Sequence, residues 1–277
     1  MSNSDDTALL VLSCDKYSDV WNPFFSFFFK YFPTCPYPVY LGTNYLKFEH
    51  PSVITLNSGI ITDWSTETKR IIEQIPYNYI ILLLEDYFLY KPVDASLLND
   101  CIDISKRHNA LFMLLAAFPN KYVKEWWNYK LLEEDQRFGI IENGQKYKIS
   151  LQTGLWNKKK WLEIIKEGES PWEFETKGSS RSQSYTTLSV KGNPALNYVH
   201  GPFIYLCSAI TQGIWMRETI KLSKKENIYI DTSKRPVESC FSYYQRKIYI
   251  ASPFFVRKIF DFIKKLFHKF FNYKCES

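Results

Sequence analysis

Two adjacent carboxylates, Glu85 and Asp86, follow directly on Tyr79 to Leu84 (YIILLL), the most apolar strand candidate in the chain. Carboxylates so placed are costly unless they point into a wet rim or bind a cation. One or two carboxylates completed by phosphate oxygens is the normal arrangement for Mg2+ or Mn2+. The plainer alternative has Asp86 capping a turn and Glu85 paired with a lysine. Two other apolar runs end in polar residues of the same kind. Ala8 to Leu12 (ALLVL) runs into Ser13-Cys14-Asp15, and Pro38 to Leu41 runs into Gly42-Thr43-Asn44.

Such residues act together only if the fold brings the ends of their strands to one edge. The continuous apolar runs read as buried strands, as do Val53 to Leu56 and Leu111 to Leu115. Between them lie helical patterns. Val20 to Phe32 is aromatic-rich, with Pro23 expected in its first turn. Trp64, Thr68, Ile71, Ile72 and Ile75 recur at helical spacing behind an Asp63 N-cap. Asp94 opens a helix with Leu97, Leu98, Cys101, Ile102 and Ser105 on one side. Alternating strand and helix predicts a mostly parallel sheet. Ligands of such sheets bind outside the carboxyl ends of the strands, where Cys14-Asp15, Thr43-Asn44 and Glu85-Asp86 all fall. No glycine-rich GxGxxG or GxxxxGK[ST] loop follows the first strand, which disfavours dinucleotide-binding and P-loop classes.

The second half is less regular and predicts α+β structure packed continuously on the first. Asn157 to Glu167 reads as a short helix with Trp161, Leu162, Ile164 and Ile165 inward and Gly168 after its end. PWEFE (Pro171 to Glu175) follows, and then TKGSSRSQS (Thr176 to Ser184), whose small polar composition predicts a mobile loop. From Pro253 to Lys274, Val256, Ile259, Phe260, Ile263, Leu266, Phe267 and Phe270 share one helical face, with basic residues opposite. That composition fits a helix lying on an anionic membrane surface; packing on the domain or on a partner protein is the alternative.

Composition sets the outer limits. With 277 residues, 45% hydrophobic and 23% charged, the chain is globular. Its 8 Trp, 20 Tyr and 21 Phe fill a core or offer flat faces on which sugars or bases stack. The net charge of +6 suits an anionic partner, and much of it lies in the last thirty or so residues. The six cysteines form no CxxC pair, against a zinc site or a disulfide framework and in favour of free thiols in a reducing cytosol. The acidic N-terminus, Met1 to Asp6, lacks a secretory pattern, and no apolar run is long enough to span a bilayer.

IILLLEDYFLYKPVD (Ile80 to Asp94) resembles the segment of GT-A glycosyltransferases that carries their acidic DxD-type motif, although it reads Glu85-Asp86-Tyr87 here. Leu9 to Pro33 and Ile61 to Pro76 resemble the opening of bacterial enzymes that build capsule or O-antigen sugars. Ser150 to Glu175 is similar to their acceptor block, and Ile210 to Leu222 to their closing segment. The resemblance implies a nucleotide-sugar-binding half over residues 1–120, with a Rossmann-like sheet. An acceptor half of the same domain covers 121–250, and the amphipathic helix 251–277. It implies transfer of a sugar to a saccharide or lipid-linked acceptor, on the inner face of a cell membrane and without nucleic acid. Asp15, beside Cys14, and Asn44 would contact base or ribose, and Asp63 and Trp64 would face the nucleotide. Asp86, with Glu85, would hold the donor sugar or a divalent Mn2+ or Mg2+. A metal-free site would instead set Arg70 and Arg181, with Lys69 more simply a solvated charge, on the diphosphate. Glu173 or Glu175 would be the general base of an inverting transfer. His200 is a further candidate metal or phosphate ligand, though a lone histidine is more often structural. Two other classes share these features: a sugar-nucleotide nucleotidyltransferase, which usually carries a glycine- and arginine-rich loop after the first strand, and a non-catalytic membrane-bound interaction protein.

Overall fold

The computed structural model describes residues 3–115, 129–191, 202–204, 208–252 and 257. Its first half alternates strand and helix: β1 (Thr7–Leu12), α1 (Ser18–Tyr31), β2 (Val39–Thr43), β3 (Ile54–Asn57), α2 (Trp64–Glu73), β4 (Tyr79–Leu84), α3 (Ala95–Arg107) and β5 (Phe112–Leu114). β4 coincides with the YIILLL run. The Asp63 carboxylate caps α2 by accepting from the Thr66 N–H, and Asp94 caps α3 by accepting from the Leu97 N–H. α1 differs from expectation. It starts at Ser18 behind a 3-10 turn (Asp15–Tyr17), so Pro23 lies inside the helix rather than in its first turn. A proline there forgoes only one helical hydrogen bond, and its ring is buried on the same helix as Phe24, Phe27 and Phe28.

Four more strands, β6 (Tyr129–Leu131), β7 (Phe138–Ile141), β8 (Gly154–Asn157) and β9 (Thr187–Val190), complete the sheet. Among the described residues it has nine strands in the order β3-β2-β1-β4-β8-β5-β9-β7-β6. Only β7 and β8 run against the rest, so the sheet is mostly parallel in direction. β8 lies antiparallel between β4 and β5, with Gly154 opposite both Leu82 and Leu114. A glycine is needed there because a Cβ would stand 2.3 Å from the Phe112 ring. Successive side chains alternate between two cores. Leu9, Val11, Ile81, Leu83, Met113 and Leu155 join the phenylalanines of α1 and the apolar face of α3. Leu10, Ile80, Leu82, Phe112 and Trp156 join Ile71 and Ile72 of α2 and Trp161 of α4 (Lys158–Ile164) on the other side. β4 is apolar throughout because both of its faces are covered.

The segment Thr176 to Ser184, expected as a loop, is helical as far as Arg181, and only Ser182 to Ser184 form a turn. A continuous helical stretch runs through α5 (Pro171–Glu173), a π-turn (Phe174–Gly178) and α6 (Ser179–Arg181). Its serines return hydrogen bonds to the helix's own carbonyls, Ser179 Oγ to Glu175 O at 2.5 Å and Ser182 Oγ to Ser179 O at 2.9 Å. Beneath its end the buried Lys148 donates Nζ to the carbonyls of Ser182 and Tyr185, both at 2.8 Å. A cation there complements the negative end of the helix.

The hairpin β10 (Ile210–Thr211) and β11 (Ile214–Trp215), α7 (Arg217–Glu226) and α8 (Cys240–Ala251) follow. No helix among the described residues is long and apolar enough to cross a membrane. His200 and, apart from Arg257, the amphipathic stretch Pro253 to Lys274 lie outside the described residues.

Candidate active site

Strand order reverses direction beside β1: β2 and β3 lie on one side, and β4 on the other. The carboxyl ends of β1 and β4 therefore flank the crevice where an open sheet of this kind takes its ligand. Two loops at this edge are tied together by Asp15 and Asn44. The Asp15 carboxylate accepts from the backbone N–H groups of Asn44, Tyr45 and Leu46 at 3.1–3.2 Å. The Asp15 N–H donates in return to Asn44 Oδ1 at 3.1 Å. Asn44 Nδ2 donates to Glu67 Oε2 at 2.9 Å, which adds the first turn of α2 to the same lattice. Reading Asp15 and Asn44 as converging is thus matched by direct contact, and their mutual bonds hold the rim in shape.

Glu85 is buried and Asp86 half-buried at the end of β4. Burial, reinforced by the neighbouring Asp86 charge, pushes the Glu85 carboxyl up to about 8. Burial pushes Asp86 up to about 6, against a hydrogen bond with Ser208. Around them stand Ser13, which hydrogen-bonds Glu85, and Tyr17 and Cys14, both raised by burial and by the Glu85 charge. Ser13 Oγ also accepts from Trp21 Nε1 at 2.8 Å. The positive charge of Arg235, over the Tyr17 ring at 4.3 Å, works against that rise in Glu85. Arg235 is itself forked onto Asp19, with Nε to Oδ2 at 2.7 Å and Nη2 to Oδ1 at 3.0 Å, and also donates to the Lys16 carbonyl. Nothing in the sequence signals this residue: it lies 216 positions from Asp19 in a polar stretch, TSKRPVE.

Two carboxyls that resist ionisation form a donor set suited to a hard cation, whose charge would offset both penalties. Among the described residues no three His, Cys, Asp or Glu side chains cluster as metal ligands. Glu85 and Asp86 would therefore need substrate or water oxygens to complete a shell, which is how Mg2+ sites are usually built.

The other candidates are placed less centrally. Asp63 is taken up in local structure: its carboxylate accepts from Ser65 Oγ, Thr66 N, Thr66 Oγ1 and Gly168 N at 2.6–2.9 Å. Burial opposes its ionisation, yet these bonds hold it well below the usual carboxylate range. Trp64 packs on Phe174, ring centroids 5.4 Å apart. Arg70 is exposed and donates to Ser58 O at 3.4 Å. Arg181 is forked onto Glu169 at 2.8 and 2.6 Å and bonds Ile164 O at 2.7 Å, so it cements the turn between α4 and α5. Glu173 closes a capping box with Ser170 and pairs with Lys177 at 2.9 Å. The Lys177 bond and those from Ser170 hold its carboxyl down at about 2. Glu175 Oε1 accepts from Ser150 Oγ at 2.9 Å and Leu151 N at 2.7 Å, just before β8. Because β8 runs against β4, that point lies at the same sheet edge as Glu85.

No family model matches the chain, and no curated protein matches it. Solved structures do share part of its course. Bifunctional IspDF from Campylobacter jejuni is 10% identical over 68% of this chain, with a TM-score of 0.41. Residues 1–349 of TarS from S. aureus are 13% identical over 68%, with a TM-score of 0.40. A UDP-glucose pyrophosphorylase complexed with UDP-glucose is 5% identical over 73% of this chain and 91% of its own, with a TM-score of 0.45. The chain spans 50% of the first and 58% of the second. The α/β class, with a Rossmann-like half continuous with an α+β half, stands on the strand order itself.

Proposed function

We propose that this protein is a nucleotide-sugar-dependent glycosyltransferase whose donor binds at the carboxyl ends of β1 and β4. The observation that carries this reading is the pair Glu85-Asp86, one buried and one half-buried, both hindered from ionising at the point where the strand order reverses. The loops bearing Cys14, Asp15 and Asn44 form the side of the crevice for base and ribose. Asp86, assisted by Glu85, would hold Mg2+ or Mn2+, which supplies positive charge to the departing diphosphate. Arg235, the nearby cation, holds the β1–α1 turn in place through Asp19 and Tyr17.

Glu175 is the better general base of the two glutamates, because Lys177 and Ser170 occupy both oxygens of Glu173 and lower its basicity. In an inverting transfer, the acceptor oxygen attacks the anomeric carbon as Glu175 takes its proton. The bond from that carbon to the diphosphate breaks, and the nucleoside diphosphate leaves with the electron pair. The family resemblance makes a saccharide or lipid-linked glycan of surface polysaccharide synthesis the acceptor. The Phe- and Lys-rich stretch Pro253 to Lys274 would tether the protein to the cytoplasmic face of an anionic membrane.

A transferase is favoured over a nucleotidyltransferase by the first turn. Asp15 already occupies the three N–H groups of Asn44 to Leu46, and residues 14–17 contain neither glycine nor arginine to wrap a triphosphate. Calorimetry with UDP, GDP and CDP, with and without Mn2+, tests donor binding, and product analysis with nucleotide sugars tests transfer. Wild-type protein should bind one of the three. Asp86→Asn should lose that binding or turnover, since an amide cannot neutralise a cation. No heat with any nucleotide would end the proposal.

A further inference from the structure

Among the described residues α8 is fastened to α7 and to Glu238 by ion pairs. Arg246 bridges Glu218 at 2.6 Å and Glu238 at 2.9 Å, and Lys247 reaches Glu218 at 2.8 Å. Tyr243 takes a hydrogen bond from Lys221 at 3.2 Å. Beside these contacts Phe241, Tyr244 and Ile248 are 72%, 64% and 58% exposed. Their spacing of three and then four residues puts them on one stripe of the helix, bordered by Lys247 and by the Tyr243 ring, whose centroid lies 5.3 Å from that of Tyr244. An aligned stripe of large apolar side chains is a different matter from scattered exposed ones.

We propose that this stripe is a membrane-docking face, by which the folded domain itself touches an anionic lipid surface. The inference rests on the membrane reading of the stretch that follows. That stretch begins at Pro253, directly after α8 and its C-cap Ser252. From residue 253 on, the chain carries Arg257, Lys258, Lys264, Lys265, Lys269 and Lys274 against Asp261 and Glu276. Basic charge that follows α8 closely in sequence matches anionic headgroups. Phenylalanine and tyrosine together suit the boundary between acyl chains and headgroups. A second copy of the chain is a poor occupant. Three partly covered side chains, of at most about 150–250 Å² each, fall short of the about 800 Å² per partner of a stable interface. With the stripe on lipid, the domain is held against the surface in one orientation, whereas a terminal tether alone leaves it free to turn.

The test uses the full chain and sedimentation with vesicles of phosphatidylcholine, with or without phosphatidylserine. Wild-type protein should bind the phosphatidylserine vesicles. Phe241→Glu with Tyr244→Glu should lower that partition by about tenfold or more, while thermal midpoint and nucleotide binding stay unchanged. Tyr244→Phe should bind like wild type. Phe260→Glu with Phe267→Glu, measured in parallel, reports on the following stretch alone. If only that pair loses binding, the stripe is not a lipid contact and the inference is overturned while the tether stands. If only the α8 pair loses binding, the inference stands and the tether fails. Two further results overturn the inference: a fall in the thermal midpoint of the α8 variant, which would place the stripe against protein, and a wild-type dimer that the variant converts to monomer. Failure of wild type to bind any vesicle overturns both.

Discussion

Both oxygens of Glu173 are engaged, one with Lys177 and the other with the backbone and hydroxyl of Ser170. Glu175 uses Oε1 for Ser150 and Leu151, and no described residue is hydrogen-bonded to Oε2. The two substitutions should therefore separate. Glu175→Gln should cut kcat by roughly 10²- to 10⁴-fold with donor binding retained. Glu173→Gln should leave turnover near wild type, because it touches only a helix cap. Single-turnover kinetics on both variants decides between them, and equal losses would remove Glu175 from the mechanism. The sequence shows two glutamates in PWEFE without distinguishing them. The difference lies in Ser150 and Lys177, which only the folded backbone brings to one glutamate each.

At the level of elements, caps and apolar runs were the legible part. β4 matches its run residue for residue, and Asp63 and Asp94 cap the helices they precede, whereas Asn157, expected as the first residue of a helix to Glu167, is the cap of one that ends at Ile164. β8 was not legible: four residues, GLWN, become a central strand only because β4 and β5 leave a slot, and Asn157 ends that strand while capping α4. The serine-rich stretch misleads for another reason, since its polar groups are satisfied by its own helix and by Lys148. Asp63→Ala removes a cap and the Gly168 contact together, and should cost about 1–2 kcal/mol in urea unfolding. α8 should be sensitive to acid. Burial opposes ionisation of Glu218, but Arg246 and Lys247 hold it down at about 2, against 4.5 for a free glutamate. A folded value below the unfolded one stabilises fully above about 4.5 and is lost as pH falls toward 2. Hydrogen exchange across Cys240–Ala251 should therefore speed up from pH 4.5 downward, after correction for intrinsic rates. Unchanged protection at pH 3 would show that α8 is held by something else.

At the scale of the whole molecule, both apolar clusters of the described residues lie within residues 8 to 237, ahead of α8. A chain ending at Ser252 should fold with an unchanged thermal midpoint and bind nucleotide as before, but pellet less with anionic vesicles. Aggregation of that truncated chain would mean that the last residues belong to the core. The site itself was only half legible at this scale. Its acidic and amide residues follow strands that the sequence marks, whereas Arg235 arrives from a segment after the last strand by long-range packing.

β8 is synthesised after β4 and β5 and yet lies between them. As the chain leaves the ribosome, β1 to β4 can assemble early, because each pairs with a neighbour already made. One side of β4 then stays open until Asn157 has emerged, with six almost wholly buried-type residues along an unpaired edge. An edge of that kind recruits strands from other chains. The strand that ends in Glu85-Asp86 thus offers the nascent chain an adhesive edge, and high-level expression should depend on a holdase that covers it before β8 arrives.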